Sequence, residues 1–168
     1  MLDTIFLLVF PAAMVMAACL DLFTLTIPNR LTIGFAILFV PAALVAGMPL
    51  YDMATHATAG AAMLTISFAF FAFGWIGGGD AKFFSASALW LGWGDLLPYA
   101  LWFSLLGGVL TLMIVSLRKY PLPVLLGGED WVVRLHDSRS GIPYGIALST
   151  AGLIIYPATV WMRAFAGI

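Results

Sequence analysis

The sequence predicts an all-α fold, a polytopic integral membrane bundle of about six transmembrane helices. Two observations predict it. Of the 168 residues, 63% are hydrophobic and 9% charged, against roughly half and a quarter in soluble domains. The apolar residues also fall in runs that approach the about 20 needed for one helix to cross a bilayer core. Almost nothing is left for a soluble domain, so residues 1–168 read as a single membrane domain whose first partner is the lipid bilayer. A formal net charge of −1 without a basic patch excludes nucleic acid as a partner. The one cysteine, Cys19, excludes an internal disulfide and a cysteine-only zinc site.

The first span runs from Thr4 to Leu20 and ends at Asp21. Small residues before Cys19 resemble a lipoprotein processing site, but the start of the chain lacks the basic region of a secretory signal, so Cys19 reads as an apolar helix residue. Pro28 breaks the next segment and biases Ile27 toward extended backbone. Leu31 to Met48 is the second span, with Pro41 inside it, and 49–56 is a short connection. Ala57 to Ile76 is the third span and stops at Gly77-Gly78-Gly79-Asp80. Ala81 to Trp93 is too short for a comfortable crossing, and Gly94 and Asp95 close it. Leu96 to Leu117 is the fifth span, 118–140 a polar loop, and Ile142 to Met162 the sixth span. Ala57, Gly60, Ala61, Gly107 and Gly108 are small enough for close helix packing. Trp75, Trp90, Trp93, Trp102 and Trp161 lie mostly near span ends and read as headgroup anchors.

If successive spans alternate in direction, Arg30, Lys82, Arg118, Lys119, Arg134 and Arg139 share one side and only Arg163 takes the other. The positive-inside rule then makes the first side cytoplasmic and both termini non-cytoplasmic. Asp21 and Asp80 arrive together at the cytoplasmic boundary, whereas Asp3, Asp52 and Asp95 go to the opposite face.

A carboxylate at the bilayer boundary is costly enough to mark a functional site. Two at one depth would share a proton, the ionised one activating water and the protonated one donating to a peptide carbonyl oxygen. That is the chemistry of peptide hydrolysis with no metal, cofactor or covalent intermediate. Gly77, Gly78 and Gly79 carry no Cβ and can take positive φ, which would let an extended substrate lie close to Asp80. Lys82 adds positive charge or reaches lipid phosphates. The structural alternatives are a glycine helix stop and an aspartate N-cap.

At these residues the chain resembles the type IV prepilin peptidases, membrane aspartic proteases with a Gly-x-Gly-Asp (GxGD) motif. Gly77-x-Gly79-Asp80-Ala81-Lys82 is similar to the second aspartate motif, and Asp21 followed by Ile27-Pro28-Asn29 to the first. Pro143-Tyr144-Gly145 resembles a third family element. The length is similar to that of the small peptidases of Flp (Tad) pilus systems. The resemblance implies Asp21 and Asp80 as the catalytic dyad, with Gly77, Gly78, Gly79, Ile27, Pro28, Asn29 and Lys82 beside the substrate. It also implies prepilin or pseudopilin precursors as substrates and leader cleavage at the cytoplasmic face of a bacterial inner membrane. Larger members also methylate the new terminus and carry zinc-binding cysteines, which this chain lacks, so methyl transfer is not expected.

Glu129 and Asp130 form a second acidic pair, read as a solvated loop face; their functional version would attract the basic end of a leader. His56 and His136 fall on opposite faces and cannot share a metal, and His136-Asp137 has no nucleophile tied to it. Rivals are a presenilin-like protease that cuts within membranes, disfavoured by the Ile27-Pro28-Asn29 turn, and a small transporter with proton-relaying aspartates.

Overall fold

The computed structural model describes residues 2–123 and 127–166. Its regular elements there are all helical: α1 (Leu2–Thr24), α2 (Asn29–Val45), α3 (Leu50–Ala72), α4 (Gly78–Leu117), α5 (Asp130–His136), α6 (Tyr144–Ile155), a 3-10 turn (Tyr156–Ala158) and α7 (Val160–Ala166). Three of these, α1 from Thr4, α3 and α4, are long and apolar enough to cross a membrane, while α2 and 144–158 are shorter apolar segments. This is a membrane protein.

Several boundaries differ from the sequence reading, each for a local reason. The connection predicted at 49–56 is helix from Leu50 onward, because Pro49 serves as the N-cap of α3 and has no amide to leave unsatisfied. α2 and α3 stop early in the same way. Gly47 and Gly74 take left-handed φ values of 67° and 74°. The amides of Gly47 and Met48 return to Leu44 and Ala43, and those of Gly74 and Trp75 to Phe71 and Phe70. Both are Schellman stops, which satisfy carbonyls that the helix end would orphan. The sixth predicted span is not one helix either. Pro157 lies in the 3-10 turn and Thr159 is extended, so α6 and α7 are separate. The loop at 118–140 holds α5, which the sequence reading did not foresee; residues 124–126 lie outside the described ones.

The predicted fourth and fifth spans are the two arms of α4, divided at Gly92 rather than at Gly94-Asp95. Gly92 has φ 68° and ψ −178°, the one non-helical residue within the element. Phe84 stacks on Tyr99 at 5.4 Å and packs on Phe103 at 5.8 Å. In a straight helix rising about 1.5 Å per residue those rings would stand more than about 20 Å apart, so the second arm folds back along the first. The first arm, residues 78–91, covers only about 21 Å, short of the roughly 30 Å hydrocarbon core.

Lipid is as apolar as leucine, so helices in a bilayer associate through close packing and polar contacts rather than through a hydrophobic drive. Here an aromatic cluster supplies both. Trp90 lies parallel to Phe35 at 5.1 Å and meets Trp161 at 4.8 Å, while Phe10 stacks on Tyr156 at 4.8 Å. Trp90 Nε1 donates to Phe35 O at 2.9 Å and Trp161 Nε1 to Trp90 O at 2.6 Å. Trp90 and Trp161 are therefore core residues with satisfied N–H groups and not headgroup anchors; both are fully buried. Trp75, Trp93 and Trp102 are exposed as expected. Of the small residues, Gly60 and Gly107 do bring helices together, since a Cβ would meet Leu89 Cβ at 2.9 Å and the Tyr144 ring at 3.5 Å. Ala57, Ala61 and Gly108 face outward instead.

At the Gly92 fold a Cβ would meet His56 Nε2 at 2.7 Å, and the His56 ring is fixed by a contact of 3.0 Å between Nδ1 and Leu89 O. Gly92→Ala therefore combines a left-handed φ with a clash against a held ring and should cost roughly 2–4 kcal/mol. Thermal unfolding in detergent measures this, with Gly108→Ala, whose Cβ enters open space, as the unchanged reference.

Candidate active site

Asp21 stands one turn before the end of α1. That end is set by Leu25, whose φ of 51° leaves the helical region while its amide still donates to Asp21 O at 2.8 Å. Thr24 closes the turn by donating to Leu20 O at 2.7 Å. Asp21 is only 5% exposed, and a carboxylate so placed needs a donor. Gly145 provides it: its amide donates to Asp21 Oδ2 at 2.6 Å. Gly145 is the second residue of α6, behind the N-cap Pro143. Its N–H is one of the amides a helix start leaves unpaired, at the positive end of the helix dipole.

The absence of a side chain at Gly145 is what allows this approach, because a Cβ would lie 2.8 Å from both Cβ and Oδ2 of Asp21. The preceding Tyr144 is held by the return arm of α4, its hydroxyl 3.0 Å from Thr111 Oγ1 and its ring over Gly107.

Asp80 is the third residue of α4, not its N-cap; Gly77 is the N-cap. The carboxylate folds back over Gly77, where a Cβ would lie 2.8 Å from Asp80 Oδ2, the position taken by the acidic member of a capping box. The triple glycine does not supply positive φ, which occurs at Gly74 instead. It supplies close approach. A Cβ on Gly78 would meet the Phe71 ring at 3.1 Å, and one on Gly79 would meet Ile27 N at 3.3 Å and Ile27 O at 3.4 Å.

The structure brings Asp21 and Asp80 to the same end of the bundle, where the turn that follows Asp21 packs through Ile27 on Gly79, the residue before Asp80. Ile27 is buried beside Gly79, and Pro28 is the exposed N-cap of α2. Lys82 does not face the carboxylates: residues two apart on a helix point to different sides, and Lys82 Nζ donates to Asn29 Oδ1 at 3.0 Å. Arg134 in α5 donates to Phe23 O at 2.6 Å and Trp131 packs edge-on against Phe23 at 5.5 Å, which lays α5 over the end of α1. Glu129 and Asp130 begin α5 and are exposed. Asp95 is at the other end, within reach of Arg163 and His56; the Asp3 side chain lies outside the described ones. Among the described residues no cluster of His, Cys, Asp and Glu is arranged to hold a metal. Cys19 is an exposed helix residue.

Comparison with known families decides what kind of protein this is. A model of the type IV leader peptidase family matches residues 8–112. The chain belongs to that family. The matched stretch contains both aspartates and the glycines, and stops before α6. No curated protein and no solved structure matches it. Gly145 was thus missed as a site residue, although Pro143-Tyr144-Gly145 was a visible signal for it.

If Gly145 sets the position of Asp21, Gly145→Ala should lower leader-peptidase activity by roughly a hundredfold, the effect of about 1 Å of misplacement. Gly108→Ala, which meets open space, should leave it unchanged. Initial rates on one precursor substrate check this.

Proposed function

We propose that this leader peptidase is an aspartic endopeptidase that removes the leader peptides of prepilins of the Flp (Tad) type at the cytoplasmic face of a bacterial inner membrane. In this reading Asp21 and Asp80 are the dyad, methyl transfer is absent, and both chain ends are on the non-cytoplasmic side. One observation carries it: two carboxylates from separate motifs lie at one end of a membrane bundle, Asp21 held by the Gly145 amide at the start of α6 and Asp80 at the start of α4, directly after the Gly79 on which the turn behind Asp21 packs.

Like charges so placed favour a state in which one proton serves both groups. The ionised carboxylate takes a proton from water as the oxygen attacks the scissile carbonyl carbon, and the protonated one donates to the carbonyl oxygen. The tetrahedral diol then collapses: the C–N bond breaks, the leaving nitrogen takes the proton held by the first carboxylate, and the second recovers its own from the diol. Water is consumed and a carboxyl and an amine are formed, so atoms and charges balance. The dyad titrates as a unit, and neither macroscopic step belongs to one residue.

The basic residues support the orientation, since Arg30, Lys82, Arg118 and Arg134 all belong to segments around the aspartate end. Arg118 secures the loop there by donating to Leu135 O at 2.9 Å and Gly141 O at 3.0 Å.

Asp21→Asn and Asp80→Asn keep shape but remove the acid or base, so each should slow leader removal from a co-expressed Flp-type prepilin by about a thousandfold. The gel shift between precursor and mature pilin reads this, with membrane extraction and thermal melting showing that the variants fold. Full processing by either variant would falsify the dyad, and proton-coupled transport without any cleavage would turn the assignment to the transporter.

A further inference from the structure

On the side of α4 turned away from the carboxylates, α2 stands between two apolar grooves. One, of about 490 Å³, lies between α2 and α3 on a floor from α4 and is lined by Asn29, Thr32, Ala36, Ala61, Lys82 and Ala86 among others. The other, of about 530 Å³, lies between α1 and α2 and is lined by Ala13, Met16, Leu20, Arg30, Gly34 and Leu38 among others. Each has one exposed cation at the aspartate end, Lys82 and Arg30 respectively. Between them α2 begins at Pro28 with no side-chain cap and no acidic residue in its first turn, so the positive end of its dipole is uncompensated.

We propose that these features form one binding site for a glycerophospholipid with an anionic headgroup. The phosphate caps α2 between Lys82 and Arg30, and one acyl chain follows each groove so that the lipid straddles α2. Groove length argues for a lipid over a membrane-spanning protein segment. From Lys82 to Leu89 and from Leu20 to Val9 the grooves run roughly 10 and 16 Å, about a third and a half of the roughly 30 Å core. Both stay within the depth of one leaflet, which an acyl chain follows and a spanning helix overruns. Two cations and a helix start exceed the single charge of a phosphodiester, which selects an anionic headgroup.

The site touches the reaction indirectly. Lys82 and Asn29 are already joined at 3.0 Å, and the turn that holds Asn29 packs through Ile27 on Gly79. A phosphate gripping both sides holds that turn against the residue before Asp80. Only this effect on cleavage rests on the proposed peptidase function; binding does not.

The test is native mass spectrometry of the full chain released from bilayers of phosphatidylcholine with a minor fraction of phosphatidylglycerol. One phospholipid should remain on each chain, enriched in phosphatidylglycerol over the bulk. Lys82→Gln combined with Arg30→Gln should reduce retention roughly thirtyfold, about fivefold for each cation. Gly34→Leu should also reduce it, because a Cβ there meets nothing within 4 Å and the new side chain fills the groove without disturbing the fold. Arg139→Gln, on the loop, should retain the lipid. Retention at the bulk headgroup ratio, or retention untouched by both the double variant and Gly34→Leu, overturns the proposal. So does a photo-crosslinker at Ile33 that captures precursor peptide in place of lipid.

Discussion

The hydrogen bond from the Gly145 amide to Asp21 is the constraint on which the site depends. A carboxylate withdrawn from water at a membrane boundary survives only with a donor, and an isolated charge there would cost several kcal/mol. The chain meets that requirement with backbone rather than with a cation. A lysine or arginine within reach would neutralise the pair and hold both groups ionised, whereas an amide and a helix dipole stabilise charge without supplying a competing proton. Asp80 likewise lies at a helix start, its carboxylate over Gly77 in the first turn of α4. Two helix starts therefore converge on two acids, which in the proposed reaction leaves proton exchange between them open.

The Gly145 contact is itself the last link of a longer mechanical chain. Gly92 lets α4 fold back, and the fold returns Gly107 and Thr111 to the aspartate end, where they seat Tyr144. Tyr144 fixes the entry of α6 and thereby the direction of the Gly145 amide. Without a hydrophobic drive between helices, each of these steps rests on a close approach that only a missing Cβ permits or on a satisfied polar contact. A residue far from the carboxylates is thus part of what aims one of them.

Much of this was legible in the sequence. Composition marked a membrane bundle, and charge alternation sent Asp21 and Asp80 to one end and Asp95 to the other, because depth in a membrane follows from counting spans. What escaped was whatever depends on side-chain partners. Trp90 and Trp161 look like interface anchors by position, and only the carbonyls of Phe35 and Trp90 make them core residues. Gly77 to Gly79 suggested positive φ by composition, yet three glycines serve equally as a place where another backbone can come close. Helix 50–72 began earlier than predicted because hydropathy does not register Asp52 and His56 as helical, although Pro49 is a good helix start. Lys82 was placed beside Asp80 by adjacency, which on a helix is the wrong neighbourhood.

The two aspartate motifs turn out to be one contact seen from both sides. Leu25 ends α1 one turn after Asp21, and the extended residues that follow carry Ile27 onto Gly79, immediately before Asp80. The separation of the carboxylates is thus governed by a turn of a few residues after the first acid and by the missing side chain before the second, not by the many residues between the motifs. Lys82 and Asn29 lock the same junction from outside, and Arg134 on Phe23 O secures its near edge. This accounts for the Ile27-Pro28-Asn29 turn behind one aspartate and the glycine directly ahead of the other: each motif supplies half of the joint that sets the gap between the carboxylates, the gap into which the proposed reaction would bring water and a peptide carbonyl.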